Sequence, residues 1–427
     1  MNVLILGSGG REHAIAWKIK QSPKCEKIFV APGNGGTDDV ATNIPIDIKK
    51  FDEISNALKQ HEIDLLVIGP EDPLVHGLVD FLRKDKKFDN LKIVGPNAAG
   101  AELEGSKEFA KDFMKKYGIP TADARTVTSE NLAETLRYME RMEPPYVLKA
   151  DGLAGGKGVI ITEELEEARK ELKNLIEGKK FGAASEKVLL EQFLKGIEVS
   201  FFVLTDGEDY RILPEAKDYK RIGEQDTGLN TGGMGAVSPV IFADRAFKEK
   251  VNKTIIKPTI DGLRKEGIDY CGFIFFGLIS VGGNPFVIEY NVRMGDPETE
   301  VVLPRIKSDL LELLVATADR KLIETDIEYH RYTASTVVFV SRGYPEFYEK
   351  GHEISTGDLK TVLPFHAGTT RKDGKLVTNG GRVVALTGLG KNLAEALSKS
   401  YAGGKEINWE GKRFRQDIGF DLKALGQ

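Results

Sequence analysis

The run Pro285-Phe-Val-Ile-Glu-Tyr-Asn-Val-Arg-Met-Gly-Asp-Pro-Glu at 285–298 holds the residues whose types and spacing most directly suggest chemistry. Read as a strand, it alternates with period two. Glu289, Asn291 and Arg293 then share one face, and Ile288, Tyr290 and Val292 the other. A carboxylate and an amide oxygen are hard donors suited to Mg²⁺, and a guanidinium one step further along implies an anion between it and the metal. A triphosphate is such an anion. The competing account is an edge strand with a solvated polar face, and the other motifs decide against it.

A second motif, Val147-Leu-Lys-Ala-Asp-Gly-Leu-Ala-Gly-Gly-Lys-Gly-Val at 147–159, puts Lys149 in a strand and Lys157 in a glycine loop. A Walker loop has Gly, four residues, then Gly-Lys and Ser or Thr; Asp151 and Gly158 occupy the first and last of those places, so this is no P-loop. The reading left is a strand-anchored lysine for inner phosphates beneath a mobile glycine flap, against a glycine hairpin with two solvated lysines. Glu191 and Glu198, beyond the next strand, fit an adenine edge and ribose hydroxyls. Residues 216–223 and 228–236 combine acid, cations and a glycine loop whose backbone N–H groups suit an anion. Gly7-Ser-Gly-Gly lacks the third glycine of a dinucleotide fingerprint, because residue 12 is Glu. It reads as a monophosphate cradle at a helix N-terminus, or else as a structural turn. The six histidines have no metal-ligand spacing, and no Ser-His-Asp or Cys-His nucleophile is implied. His13 would face ligand or lie on a helix surface.

These residues need elements to hold them. Apolar runs at 3–6, 27–31, 64–68 and 91–94 end in Gly or Pro and alternate with helical patterns at 13–20, 51–60 and 74–84. That order predicts a parallel sheet with ligands at the carboxyl ends of its strands. A helix is expected from after Ser106 to Gly118. A compact α/β piece follows at 126–190, with strands at 146–150, 159–162 and 187–190 and a helix at 164–176. Further strands are expected at 198–204, 272–280, 335–340, 361–365, 382–386 and 407–409, and a helix at 392–401.

Composition bounds the function. A chain of 427 residues with 41% hydrophobic and 29% charged residues needs more than one structural unit, and it contains no apolar run of membrane-spanning length. Net charge −5 argues against nucleic acid as a main partner. Cys25 and Cys271 suggest neither disulfide nor zinc and are expected to be buried. The N-terminus goes straight from an apolar strand to a glycine turn, so no secretory signal and a cytoplasmic location are expected.

Together the motifs resemble the phosphoribosylamine–glycine ligase (glycinamide ribonucleotide synthetase) family of the ATP-grasp superfamily over nearly the whole chain. The strings are Gly-Ser-Gly-Gly-Arg-Glu-His-Ala at 7–14, Pro-Gly-Asn-Gly-Gly-Thr at 32–37, Gly-Pro-Glu-Asp-Pro-Leu-Val at 69–75 and the 149–159 loop. Asn-Thr-Gly-Gly-Met-Gly-Ala at 230–236, Arg-Met-Gly-Asp-Pro-Glu-Thr-Glu at 293–300, Phe-His-Ala-Gly-Thr at 365–369 and Gly-Gly-Arg-Val at 380–383 complete them. The resemblance implies an N-terminal parallel-sheet (pre-ATP-grasp) α/β substrate domain at 1–103. An ATP-grasp fold at 104–328, with a mobile lid at about 121–194, and a small C-terminal α/β domain at 329–427 would follow. The implied activity is ATP-dependent joining of glycine to 5-phosphoribosylamine through glycyl phosphate, in purine biosynthesis. Another ATP-grasp ligase or carboxylase is the nearest alternative.

The resemblance also assigns roles. Glu289 and Asn291 would hold Mg²⁺ or Mn²⁺, and Lys107, Lys149, Lys157, Glu191 and Glu198 would contact ATP. Gly9, Gly10, Pro70, Glu71, Asp218, Lys220 and Arg293 would surround the substrates, with Arg293, Lys149 and Asp218 catalytic. A monomer is the expectation, with no membrane and no nucleic acid among its partners. The chain departs from the family pattern at Tyr219, where His is usual, and at Tyr-Asn-Val-Arg-Met, where Phe-Asn-Cys-Arg-Phe is frequent.

Overall fold

The computed structural model describes residues 1–153, 158–178 and 186–424; residues 154–157 of the expected glycine flap, Lys157 among them, lie outside the described residues. The N-terminal part comprises β1 (Asn2–Gly7), α1 (Gly10–Ile19), β2 (Lys27–Pro32), β3 (Thr42–Asn43), α2 (Phe51–Gln60), β4 (Leu65–Ile68), α3 (Glu71–Val75), α4 (Leu78–Arg83) and β5 (Lys92–Val94). Its strands lie parallel in the order β3-β2-β1-β4-β5. Val3, Leu4, Ile5 and Leu6 are all fully buried, as in a sheet covered on both faces, which is why continuous apolar runs form it. The one helix expected over 74–84 is instead two, because Gly77 takes φ +81 between them. Next come α5 (Ala98–Gly105) and α6 (Lys107–Lys116), each capped by the residue before it: Asn97 accepts from the Gly100 N–H and Ser106 from that of Phe109.

β6 (Ala124–Val127), α7 (Leu132–Tyr138), β7 (Tyr146–Ala150), β8 (Val159–Thr162), α8 (Leu165–Ile176) and β9 (Val188–Gln192) build a separate antiparallel sheet, ordered β6-β9-β7-β8. Its core, including Val127, Leu132, Leu148, Leu172 and Leu190, is distinct from the main one.

From residue 197 the chain forms β10 (Ile197–Thr205), β11 (Tyr210–Ile212), β12 (Lys217–Asp218), the hairpin β13 (Arg221–Gly223) and β14 (Thr227–Asn230), and β15 (Gly235–Ser238). It continues through α9 (Arg245–Val251), α10 (Lys257–Lys265), β16 (Gly272–Val281), β17 (Asn284–Asn291), α11 (Thr299–Arg305) and α12 (Leu310–Ala318). Strands β11-β10-β16-β17 make an antiparallel sheet.

The tail holds β18 (Thr333–Val340), β19 (Ser355–Thr356), β20 (Val362–His366), β21 (Thr369–Lys372), β22 (Lys375–Thr378), β23 (Arg382–Gly390), α13 (Leu393–Glu406), β24 (Ile407–Asn408) and α14 (Phe420–Ala424). Its main strands do not stand alone. They extend a sheet begun at Lys217, in the order β12-β15-β18-β23-β20. Cys25 and Cys271 are free thiols, half-buried rather than buried.

Candidate active site

β17 departs from even alternation. Gly277 lies opposite Glu289 but Leu278 lies opposite Val287, so Ile288 is an extra residue, a bulge. The bulge reverses the phase: Val287, Tyr290 and Val292 are all buried, while Glu289 is freed to the other side. The strand ends at Asn291, so Arg293 does not continue the Glu289–Asn291 face as expected. Among the described residues the Glu289 carboxylate has neither a hydrogen bond nor a salt bridge. The Asn291 Nδ2 is buried without a hydrogen-bond partner. Turning that amide places its oxygen there instead. A hard cation satisfies both groups. No group of three His, Cys, Asp or Glu side chains among the described residues is placed to hold a metal, so Mg²⁺ or Mn²⁺ would draw its other ligands from water and phosphate.

α6 and the 124–192 sheet supply cations. The Lys149 Nζ is 2.8 Å from the Glu191 carboxylate and donates to the Ile288 carbonyl at 3.4 Å. Both side chains are buried. Lys107 donates from Nζ to the Gly152 carbonyl at 2.9 Å and from its backbone N–H to Asp151 at 2.5 Å. Burial lowers the Lys107 ammonium pKa against the pull of Glu289 and Asp151. Lys111, which the sequence reading missed, also reaches Glu191, at 3.4 Å. Burial brings it down to about 8, opposed by Glu191. Its spacing from Lys107, one turn along the same helix face, was the available signal.

Facing them, Glu198 is 3.1 Å from Lys220, and Lys220 is 4.0 Å from Asp218. The Lys220 charge holds Glu198 below the usual carboxylate range. Asp218 is buried, and burial pushes its carboxyl up; Glu198 adds to the shift while Lys220 opposes it. Glu298, also unforeseen, is driven to about 7 by burial and by the Asp218 charge, and accepts from the Ser200 hydroxyl at 3.2 Å. Tyr219 is buried and donates its hydroxyl to Asp421 at 2.7 Å, so position 219 braces α14.

Arg293 turns toward the N-terminal domain. Its Nε donates to Glu71 at 3.1 Å and its Nη2 to Glu104 at 2.7 Å. Burial drives the Glu104 carboxyl up to about 7 in spite of Arg293. Burial also acts on Glu71, yet Arg293 and Arg11 bring it below its ordinary value. Pro70 caps α3 and leads directly into Glu71. At α1, the Gly9 N–H donates to Glu12 at 2.7 Å and the Arg11 N–H to Asp296 at 3.3 Å. Carboxylates therefore occupy the expected monophosphate cradle, and a phosphate would have to replace them. A Cβ on Gly9 would crowd Asp296 and one on Gly10 would strike Glu300, which explains why both are glycine. His13 is not on a helix surface. It is buried, its Nδ1 accepts the His366 N–H at 2.9 Å, and burial lowers it to about 3.

Residues 1–104, 105–299 and 334–421 match in turn the N domain, the ATP-grasp (A) domain and the C domain of phosphoribosylglycinamide synthetase. The chain belongs to the phosphoribosylglycinamide synthetase family. It is 44% identical to the phosphoribosylamine–glycine ligase of Pasteurella multocida over 99% of both chains, and 44% identical to that of Escherichia coli over 98% of both. A bifunctional purine biosynthetic protein of Pichia angusta is 45% identical, and the match covers 98% of this chain and 53% of that protein. The solved phosphoribosylamine–glycine ligase of Thermotoga maritima superimposes with TM-score 0.84 at 38% identity, covering 98% of this chain and 100% of that one. A biotin carboxylase of Campylobacter jejuni shares the fold at 15% identity, with TM-score 0.72 over 100% of this chain and 95% of that one. The expected class of N-terminal parallel sheet, ATP-grasp fold and C-terminal α/β part is thereby borne out, and with it ATP-dependent ligase chemistry on small molecules. No helix among the described residues is long and apolar enough to cross a membrane.

Proposed function

We propose that this synthetase family member joins the carboxylate of glycine to the amine of 5-phosphoribosylamine. The products are glycinamide ribonucleotide, ADP and phosphate, as a step of purine biosynthesis. The observation that carries the reading is the unpartnered donor set of Glu289 and Asn291, set among the charges of Lys107, Lys149, Asp218 and Lys220. Likeness to phosphoribosylamine–glycine ligases over the full chain supports glycine and phosphoribosylamine as the acid and the amine.

The order of bond changes follows from leaving groups. A carboxylate cannot expel oxide, so one of its oxygens first attacks the γ-phosphorus and ADP departs with the electrons of the broken P–O bond. The amine then attacks the carbonyl carbon of glycyl phosphate and gives up a proton, and phosphate leaves with the former carboxylate oxygen. Lys107 and Lys149 hold the phosphate oxygens, with Glu191 and Glu198 at the nucleoside. Asp218 offers the glycine ammonium an anionic seat, and Pro70, Glu71, Lys220 and Arg293 border the acceptor side. Glu289 and Asn291 would hold Mg²⁺ or Mn²⁺, which when bound neutralises charge on the transferring phosphoryl group.

The test is ADP release from ATP that requires both glycine and phosphoribosylamine. Release driven by bicarbonate instead would overturn the reading in favour of a carboxylase. Glycine carrying ¹⁸O in its carboxylate should pass label to inorganic phosphate, and phosphate free of label would remove the acyl phosphate.

A further inference from the structure

We infer that Lys111 is a positioning residue for ATP: it carries the charge of Glu191 so that Lys149 can leave that carboxylate for the phosphates. The inference rests on the ATP reading above. Two ammonium groups share one buried acid, at 2.8 Å from Lys149 and 3.4 Å from Lys111. Their situations differ. Among the described residues Lys149 has only the Ile288 carbonyl besides, at a long 3.4 Å. Lys111 also donates to the Thr121 hydroxyl at 2.8 Å and the Ala122 carbonyl at 3.0 Å, two hydrogen bonds beside its ion pair with Glu191. One lysine is fixed and the other is loosely held.

The fixed one sits where it must. Thr121 in turn donates to the Val287 carbonyl at 2.7 Å, tying Lys111 to the metal strand. The chain enters the 124–192 sheet through Thr121 and Ala122 and leaves it through Glu191 and Gln192, and the Gln192 N–H closes on the Asp123 carbonyl at 2.9 Å. Lys111 thus grips both crossings at once. If Lys149 turned to a phosphate with Lys111 absent, Glu191 would be a buried charge with no counter-ion, a state strongly disfavoured in a low-dielectric interior. Burial already draws Lys111 down to about 8, and Glu191 is what keeps it charged.

The test is direct titration with Mg-ATP, without glycine or acceptor. Lys111→Met should weaken binding by a factor on the order of ten to a hundred, the scale of a buried charge left unpaired but partly relaxed by water. Lys111→Arg, which keeps the charge, should stay within about threefold of wild type. In a Glu191→Gln background the charge is gone, so adding Lys111→Met should change affinity by less than about twofold. Equal penalties in the two backgrounds, or an unaffected Lys111→Met, would overturn the inference. Should Lys111→Met fail to fold, the double variant has no unpaired carboxylate and leaves Lys149 as Glu191→Gln alone leaves it, so it should fold and bind ATP as Glu191→Gln does. Weaker binding than Glu191→Gln would likewise overturn it. A wild-type protein that binds no ATP would instead sink the nucleotide reading itself.

Discussion

Replacing Glu289 by Gln keeps the shape of the side chain and removes the charge a divalent cation requires. Turnover should fall by roughly 10²–10³ while the thermal midpoint holds, since no described protein group loses a hydrogen bond or salt bridge. Near-normal turnover at low Mg²⁺ would place the metal elsewhere. Arg293 behaves differently. It is the hydrogen-bond partner of buried Glu104, so Arg293→Ala should destabilise the fold by about 1–3 kcal/mol in chemical denaturation, and Arg293→Lys by less. A variant as stable as wild type would show that Arg293 does not hold Glu104 in place. Glu289, Asn291 and Lys149 were legible because each stands in a strand or loop whose neighbours are apolar or glycine. Glu104, Lys111 and Glu298 were not. Each occupies a place where charged residues are normally solvated, and only the tertiary fold buries it.

The elements were read well where local periodicity and caps decide them. α2 and β7 begin and end where the pattern places them, and Ser106 starts α6 by capping it. Two misreadings share a cause. Gly77 breaks 74–84 through a single dihedral, and the Ile288 bulge shifts β17 by one residue against a partner strand that sequence alone does not display. At this scale the lid expectation becomes testable, because the 124–192 sheet has its own small core and the chain enters it and leaves it once each. Amide exchange at 151–153 should slow when Mg-ATP is added, while exchange inside the separate core changes little. Equal exchange at 151–153 with and without nucleotide would remove the lid.

Across the whole molecule, stability should carry a pH signature from the junction of the N-terminal domain with β17. The Glu104 carboxyl lies near 7 in the folded chain against an ordinary 4.5. The native state therefore keeps a proton the unfolded chain releases, and stability is lost as pH rises between those values, by at most about 1.4 kcal/mol per unit. Glu104→Gln should remove that slope, so wild type loses stability relative to the variant as pH is raised from 5 to 7 in thermal melts. Parallel curves would refute it. Long-range joins of this kind were invisible in the sequence, and so was the sheet shared by β12, β15 and β18. That sheet has a consequence for synthesis on the ribosome. Asp218 and its strand emerge well before Thr333–Val340, the segment that must pair with β15 to hold them. At ordinary rates of elongation the nascent chain carries this half-built sheet, one edge open, for roughly 5–20 s. The strand bearing Asp218 is translated at mid-chain and secured only when residues 333–340 arrive, so a truncated messenger yields a product whose centre was never finished.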